Sequence, residues 1–98
     1  MKIVEKGKMD KSNYTHLLYV RKYSIFSNDY ELYVYGVKTK DIYHTIGEMH
    51  ARSLEHIKRI DWVVLTPQNR QAKFDYWKEQ GKQIHTWYDK HTESEEIK

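Results

Sequence analysis

The sequence predicts a single α+β domain, an antiparallel hairpin followed by alternating helices and strands. Three observations carry that expectation. Residues 14–24 and 30–38 are rich in β-branched and aromatic types and flank a Ser27-Asn28-Asp29 turn cluster. From Ile42 to Ile60 the apolar residues then recur near helical spacing. After them, Asp61-Trp62-Val63-Val64-Leu65 is a short apolar run that stops at Thr66-Pro67, a strong helix start.

Taken in order, residues 2–9 are expected to form a short first strand around Ile3 and Val4. Residues 14–24 and 30–38 form the hairpin. The spacing of Ile42, Ile46, Met49, Leu54, Ile57 and Ile60 predicts a helix over 41–59. The run 61–65 reads as a buried strand. Thr66 can cap orphan N–H groups and Pro67 suits the first helical position, so a second helix is expected from Pro67 to Gln80. Gly81 leaves two readings open. As a left-handed C-terminal cap it releases a last strand over 82–88. As a tolerated mid-helix glycine it lets the helix run to His91 along the stripe Phe74, Trp77, Ile84 and Tyr88. The strand is favoured by Ile84, Thr86, Trp87 and Tyr88 in close succession, and the element order is then β-β-β-α-β-α-β.

Composition bounds the rest. A chain of 98 residues fits one core, since a domain of this size buries a bit over about 60% of its unfolded surface. A mean hydropathy of −0.94 leans toward disorder. Nine Tyr, three Trp and two Phe argue for folding, because each ring can bury roughly 150–250 Å². One domain is expected over 1–91, with an acidic tail over 92–98 that frays. The absence of Cys excludes disulfides and thiolate metal sites. No apolar run approaches the ~20 residues that span a bilayer, and Met1-Lys2-Ile3-Val4-Glu5-Lys6 has no signal-peptide character. A cytoplasmic location without membrane contact is expected. Formal net charge is +3, but residues 1–22 alone carry a net +4 and the last six residues a net −2.

The element order resembles the core of the ribonuclease H-like fold, with three meandering strands before alternating helices and strands. That resemblance implies a metal-dependent nuclease, in which carboxylates on the first strand, first helix and fourth strand hold two ions. Glu5 and Glu48 fall at two of those places. The fourth strand ends in Leu65-Thr66-Pro67 with no carboxylate, and Asp61 is the remaining candidate. The site implied by the resemblance is therefore degenerate.

No catalytic, metal or cofactor motif is present. His44, His50 and His56 recur every six residues, which is about 600° of helical rotation and leaves successive rings about 120° apart. They do not converge on one ion. His16, His85 and Glu48 are the side chains suited to acid–base work, and no spacing brings them together.

The hairpin carries the strongest signal. Tyr19, Arg21, Tyr23, Tyr33 and Tyr35 combine rings that stack on bases with a cation that tracks phosphate. If Phe26 lies opposite Tyr30, Tyr23 faces Tyr33 and Arg21 faces Tyr35, giving one Tyr/Arg face. If Ser27 lies opposite Tyr30, Tyr19 and Tyr23 join Leu32 and Val34 instead and no platform exists, because a one-residue slip swaps the faces. Arg52 and Arg59, two turns apart on the expected helix, add a basic patch with Lys58. The expected function is a small non-catalytic binding domain. It would contact nucleic acid, or a nucleic-acid-processing machine, through this face and the basic N-terminal segment. The alternatives are a protein-binding inhibitor or adaptor of phage or mobile-element accessory type, with homodimerisation as a variant, and the nuclease above.

Overall fold

The computed structural model describes residues 13–88. The expected first strand, the basic segment before Asn13 and the acidic tail lie outside the described residues. The remainder is a small α+β fold of six elements: β1 (His16–Ser24), β2 (Asp29–Val37), α1 (Ile42–Arg52), β3 (Ile57–Val64), α2 (Arg70–Glu79) and β4 (Ile84–Trp87). The strands form one mixed sheet in the order β3-β1-β2-β4. β1 runs antiparallel to β2 and β3, and β4 runs parallel to β2.

The two helices cover opposite faces of this sheet. On the first face, Ile42 and Met49 of α1 pack with Leu18, Val20, Val37 and Ile57, flanked by Tyr35, Ile46, Ile60 and Trp87. On the second, Phe74 and Trp77 of α2 flank Tyr14, Leu17, Val34 and Leu65, together with Tyr19, Val63 and Ile84. Burial on both faces explains why adjacent Leu17 and Leu18 are both fully enclosed.

Neither hairpin pairing read from the sequence is found, but the faces fall as the alternative with Ser27 opposite Tyr30 expects, with Tyr19 and Tyr23 joining Leu32 and Val34 and no single Tyr/Arg face. Ser24 lies opposite Asp29 and Tyr23 opposite Tyr30, closing a four-residue loop over 25–28. Asn28 makes this loop possible. It adopts φ 57, a left-handed conformation that Asn tolerates, and its N–H donates to the Ser24 carbonyl at 2.8 Å.

The first helix is shorter than its periodicity predicts. Asp41 caps it, accepting from the N–H groups of Tyr43 and His44 at 3.1 and 3.2 Å. It ends at Arg52, where Ser53 turns extended. Ile57 and Ile60 belong to a strand instead. The register shifts between Arg21 and Lys22 so that Ile60 opposes Val20 while Ile57 opposes Lys22. One extra residue on β3 therefore places two isoleucines, three apart, on the same face, a spacing that imitates a helix. Leu54 falls in the connecting loop, fully exposed.

The second helix is preceded by a turn over 67–69. There Thr66 Oγ1 accepts from the Asn69 N–H at 3.1 Å, and Asn69 Oδ1 accepts from the Thr66 N–H at 2.8 Å. Gly81 ends the helix at φ 71. The Lys82 N–H reaches the Trp77 carbonyl at 2.9 Å and the Gly81 N–H reaches the Lys78 carbonyl at 3.0 Å, the paired bonds of a Schellman cap. The chain then enters β4, as the strand reading expects, and the extended-helix reading is excluded.

Candidate functional site

With Tyr23 opposite Tyr30, the residues that the sequence grouped on one Tyr/Arg face separate onto two. Tyr19, Arg21 and Tyr23 share the second face with Tyr30, Leu32 and Val34. Tyr33 and Tyr35 share the first face with Leu18, Val20 and Lys22.

On the first face, Tyr33 and Tyr35 are committed to internal contacts. Lys22 Nζ donates to the Tyr35 hydroxyl at 2.9 Å and lies 3.3 Å from Glu55. It also stands 4.8 and 5.5 Å from the Tyr33 and Tyr35 ring centroids. Burial pushes the Lys22 ammonium down, but the Tyr35 hydrogen bond and the Glu55 charge outweigh it, so its pKa rises above the ordinary 10.5. Trp87 and His85 pack against Tyr35 from β4. Arg52 lies 4.6 Å over the Trp87 ring, donates to the Tyr88 carbonyl and pairs with Glu48. Arg52 thus ties α1 to β4 and is separate from Lys58 and Arg59, contrary to the helical patch expected from sequence. A recess of about 200 Å³ lies beneath, lined by Val20, Met49, Ile57 and Trp87 among others.

The second face is different. The cluster that α2 joins includes no β1 residue beyond Tyr19, so the end of the sheet carrying Arg21 and Tyr23 lies past the helix. Arg21 is exposed there, and Tyr23 and Tyr30 are partly exposed. The Tyr23 and Tyr30 rings meet edge-to-face at 5.6 Å, and His56 approaches Tyr30 at 6.0 Å. The Tyr23 hydroxyl donates to Asn28 Oδ1, which holds the ring in place.

The register shift in β3 then delivers the cations. Arg59 lies opposite Arg21, and Lys58 Nζ stands 5.3 Å from the Tyr30 centroid. Arg59 pairs with Asp61 at 2.8 Å while remaining largely exposed. Toward α2 the aromatic surface continues through Tyr19, 5.3 Å from Trp77, and Tyr76, 4.8 Å from Trp77. A groove of about 310 Å³ runs between Tyr19, Asn69, Ala72, Lys73, Tyr76 and Trp77.

Five of the eight sequence-nominated residues, Tyr19, Arg21, Tyr23, Lys58 and Arg59, therefore converge on the second face, and Tyr33, Tyr35 and Arg52 do not. Tyr30, His56, Tyr76 and Lys73 are additions that sequence reasoning missed. The signal for Tyr30 was Asn28, whose tolerance of positive φ favours the four-residue loop.

The carboxylates implied by the ribonuclease H-like resemblance do not come together. Glu48 is held by Arg52 on the helix that covers the first face. Asp61 sits opposite Tyr19, on the second face, and pairs with Arg59. Glu5 lies outside the described residues. Among the described residues, no group of three or more His, Asp or Glu could hold a metal ion, and no helix is long and apolar enough to cross a membrane. No family model, curated protein or solved structure matches the chain.

Proposed function

We propose that the protein binds single-stranded nucleic acid on the open end of the second sheet face. The observation that carries this reading is the register. It sets Arg21 and Tyr23 beside Tyr30, Lys58 and Arg59 on sheet surface that α2 leaves uncovered. Partly exposed rings supply sequence-tolerant stacking, and the three cations supply phosphate contacts. Alternate residues on a strand lie about 7 Å apart, roughly twice the ~3.4 Å rise of a duplex strand. Arg21 and Tyr23 are therefore spaced for an unstacked strand rather than for a stacked helix.

Fluorescence anisotropy with labelled single-stranded and blunt double-stranded oligonucleotides tests this directly. Single strands should bind with Kd on the order of micromolar to tens of micromolar at low salt. Three phosphate contacts predict a slope of log K against log salt of about −2. Arg21→Glu should weaken binding and flatten that slope. Tyr23→Ala should cost about 1–3 kcal/mol, the usual worth of one stacked base. Tyr33→Ala, on the opposite face, should leave affinity unchanged. Absence of binding at tens of micromolar protein, or equal losses from Tyr23→Ala and Tyr33→Ala, would overturn the reading.

A further inference from the structure

β3 is an edge strand of the sheet among the described residues. The Leu65 N–H donates inward, to the Thr15 carbonyl at 2.8 Å, and the register with β1 is continuous from Val64 back to Arg59. Backbone groups alternate sides along a strand. Val63, Asp61 and Arg59 therefore also bond toward β1, and Val64, Trp62 and Ile60 turn their N–H and C=O groups outward. The outward row has a stop at each end. Asn69 Nδ2 donates to the Val64 carbonyl at 3.0 Å. At the other end Lys58 is the extra residue, with no opposite number on β1. Between these stops Ile60 and Trp62 face an open edge, which invites pairing with another strand.

The side chains select the strand that fits. Arg59 and Asp61 both project on the second face and are largely exposed, 2.8 Å apart. When two copies pair antiparallel about a two-fold axis, one residue lies opposite itself. Centring on Ile60 sets Arg59 of each copy opposite Asp61 of the other. These are non-hydrogen-bonded positions, where facing side chains lie closest. The Ile60 groups then bond reciprocally, and Trp62 lies opposite Lys58. Centring on Arg59 or on Asp61 sets like charges face to face. Centring on Trp62 uses the Val64 carbonyl that Asn69 already holds, and it leaves Arg59 and Asp61 without a charge across the seam. The order cation, Ile60, anion is thus complementary to its own reverse, and the pair within each chain becomes half of an alternating ring of charges.

We infer that the protein self-associates as a two-fold dimer through the outer edge of β3, antiparallel and centred on Ile60, which joins two sheets into one. The stops at Lys58 and Asn69 keep this seam short, so it belongs to the small, weak class of interfaces. The inference is independent of the nucleic-acid reading.

Sedimentation equilibrium without nucleic acid, up to about 1 mM chain, should show a reversible monomer–dimer equilibrium. Arg59→Asp alone, or Asp61→Arg alone, should weaken association about tenfold or more, since each sets like charges opposite at symmetric positions. The double exchange, Arg59→Asp with Asp61→Arg, should restore it, and a mixture of the two single variants should form a heterodimer. Recovery in either case also shows that the variants fold. Hydrogen exchange at the Ile60 and Trp62 amides should slow as concentration rises, while the Asp61 and Val63 amides, bonded to β1, stay unchanged.

A monomer over the whole range overturns the inference. A dimer indifferent to both single changes places the contact elsewhere and overturns it equally. Ile60 and Trp62 amides that are already protected in the dilute monomer show another stretch of the same chain on this edge, with the same consequence.

Discussion

A Cβ on Gly36 would stand 2.1 Å from the Tyr14 ring, closer than any real contact. Gly36 is therefore the residue that lets a large aromatic lie flat across β2. Tyr14 is 2% exposed. Its ring meets Phe74 of α2 edge-on at 6.4 Å, and its hydroxyl hydrogen-bonds Thr86 Oγ1 of β4. One absent methyl thus permits contacts among β2, α2 and β4. Gly36→Ala should lower stability by about 1–3 kcal/mol, the cost of overpacking a filled site. In a Tyr14→Ala background, which alone should cost about 3–5 kcal/mol, the same change should be nearly neutral. Denaturant melts of the four proteins give the coupling. Equal costs of Gly36→Ala with and without the Tyr14 ring would show that the glycine acts through its own backbone instead.

At the scale of elements, the legible parts were those whose signals are local. Gly81 offered a helix end by chemistry that does not depend on distant packing, although the sequence also allowed it mid-helix, and Asp41, which caps α1, was not singled out. The short runs at 14–24 and 30–38 marked strands by composition. What could not be read was anything set by pairing. Ile57 and Ile60 imitate a helical stripe because β3 carries an extra residue opposite β1, and that residue is invisible until the partner strand is known. The hairpin register was obscure for a related reason. With helices on both faces, Leu17 and Leu18 are both core, so the alternation that fixes register in a one-sided sheet is blurred. The candidate site inherits this: its residue types were legible and their grouping was not. Like β4, α2 is lightly held, since none of its residues is buried. Its cap therefore matters more than a cap on a well-packed helix would. Gly81→Ala forces a side chain into the left-handed region and should cost about 1–2 kcal/mol, while Gly81→Asn should cost less. Hydrogen exchange should show the loss first at the Lys82 amide, whose acceptor is the Trp77 carbonyl, and then through β4. Unchanged exchange in Gly81→Ala would mean that β4, not the cap, holds the helix end.

At the scale of the whole molecule, each helix shields part of one sheet face. The covered region holds a titratable group that makes stability depend on pH. His16 opposes Val64 on β1, with Nδ1 2.7 Å from Thr15 Oγ1 and its ring edge-on to Trp62 at 5.7 Å. Burial holds its pKa below the ordinary 6.5, because the low-dielectric surroundings disfavour imidazolium. As pH falls below 6.5 the unfolded chain takes up this proton before the folded one does, so the unfolded state gains. The neutral His16 contribution is thus complete above 6.5 and lost as pH falls through the lower folded value. Lys22 behaves oppositely. Its raised pKa makes a contribution that is complete below 10.5 and lost as pH rises beyond it. Together these two groups favour the folded state most between those limits. Thermal melts from about pH 7.5 to about pH 5 should show Tm falling in the parent protein. His16→Gln, which keeps a polar partner for Thr15 but cannot take the proton, should fall less over the same interval. If the two curves run parallel, the acid sensitivity of the fold resides in other groups and the burial of His16 is without consequence for it.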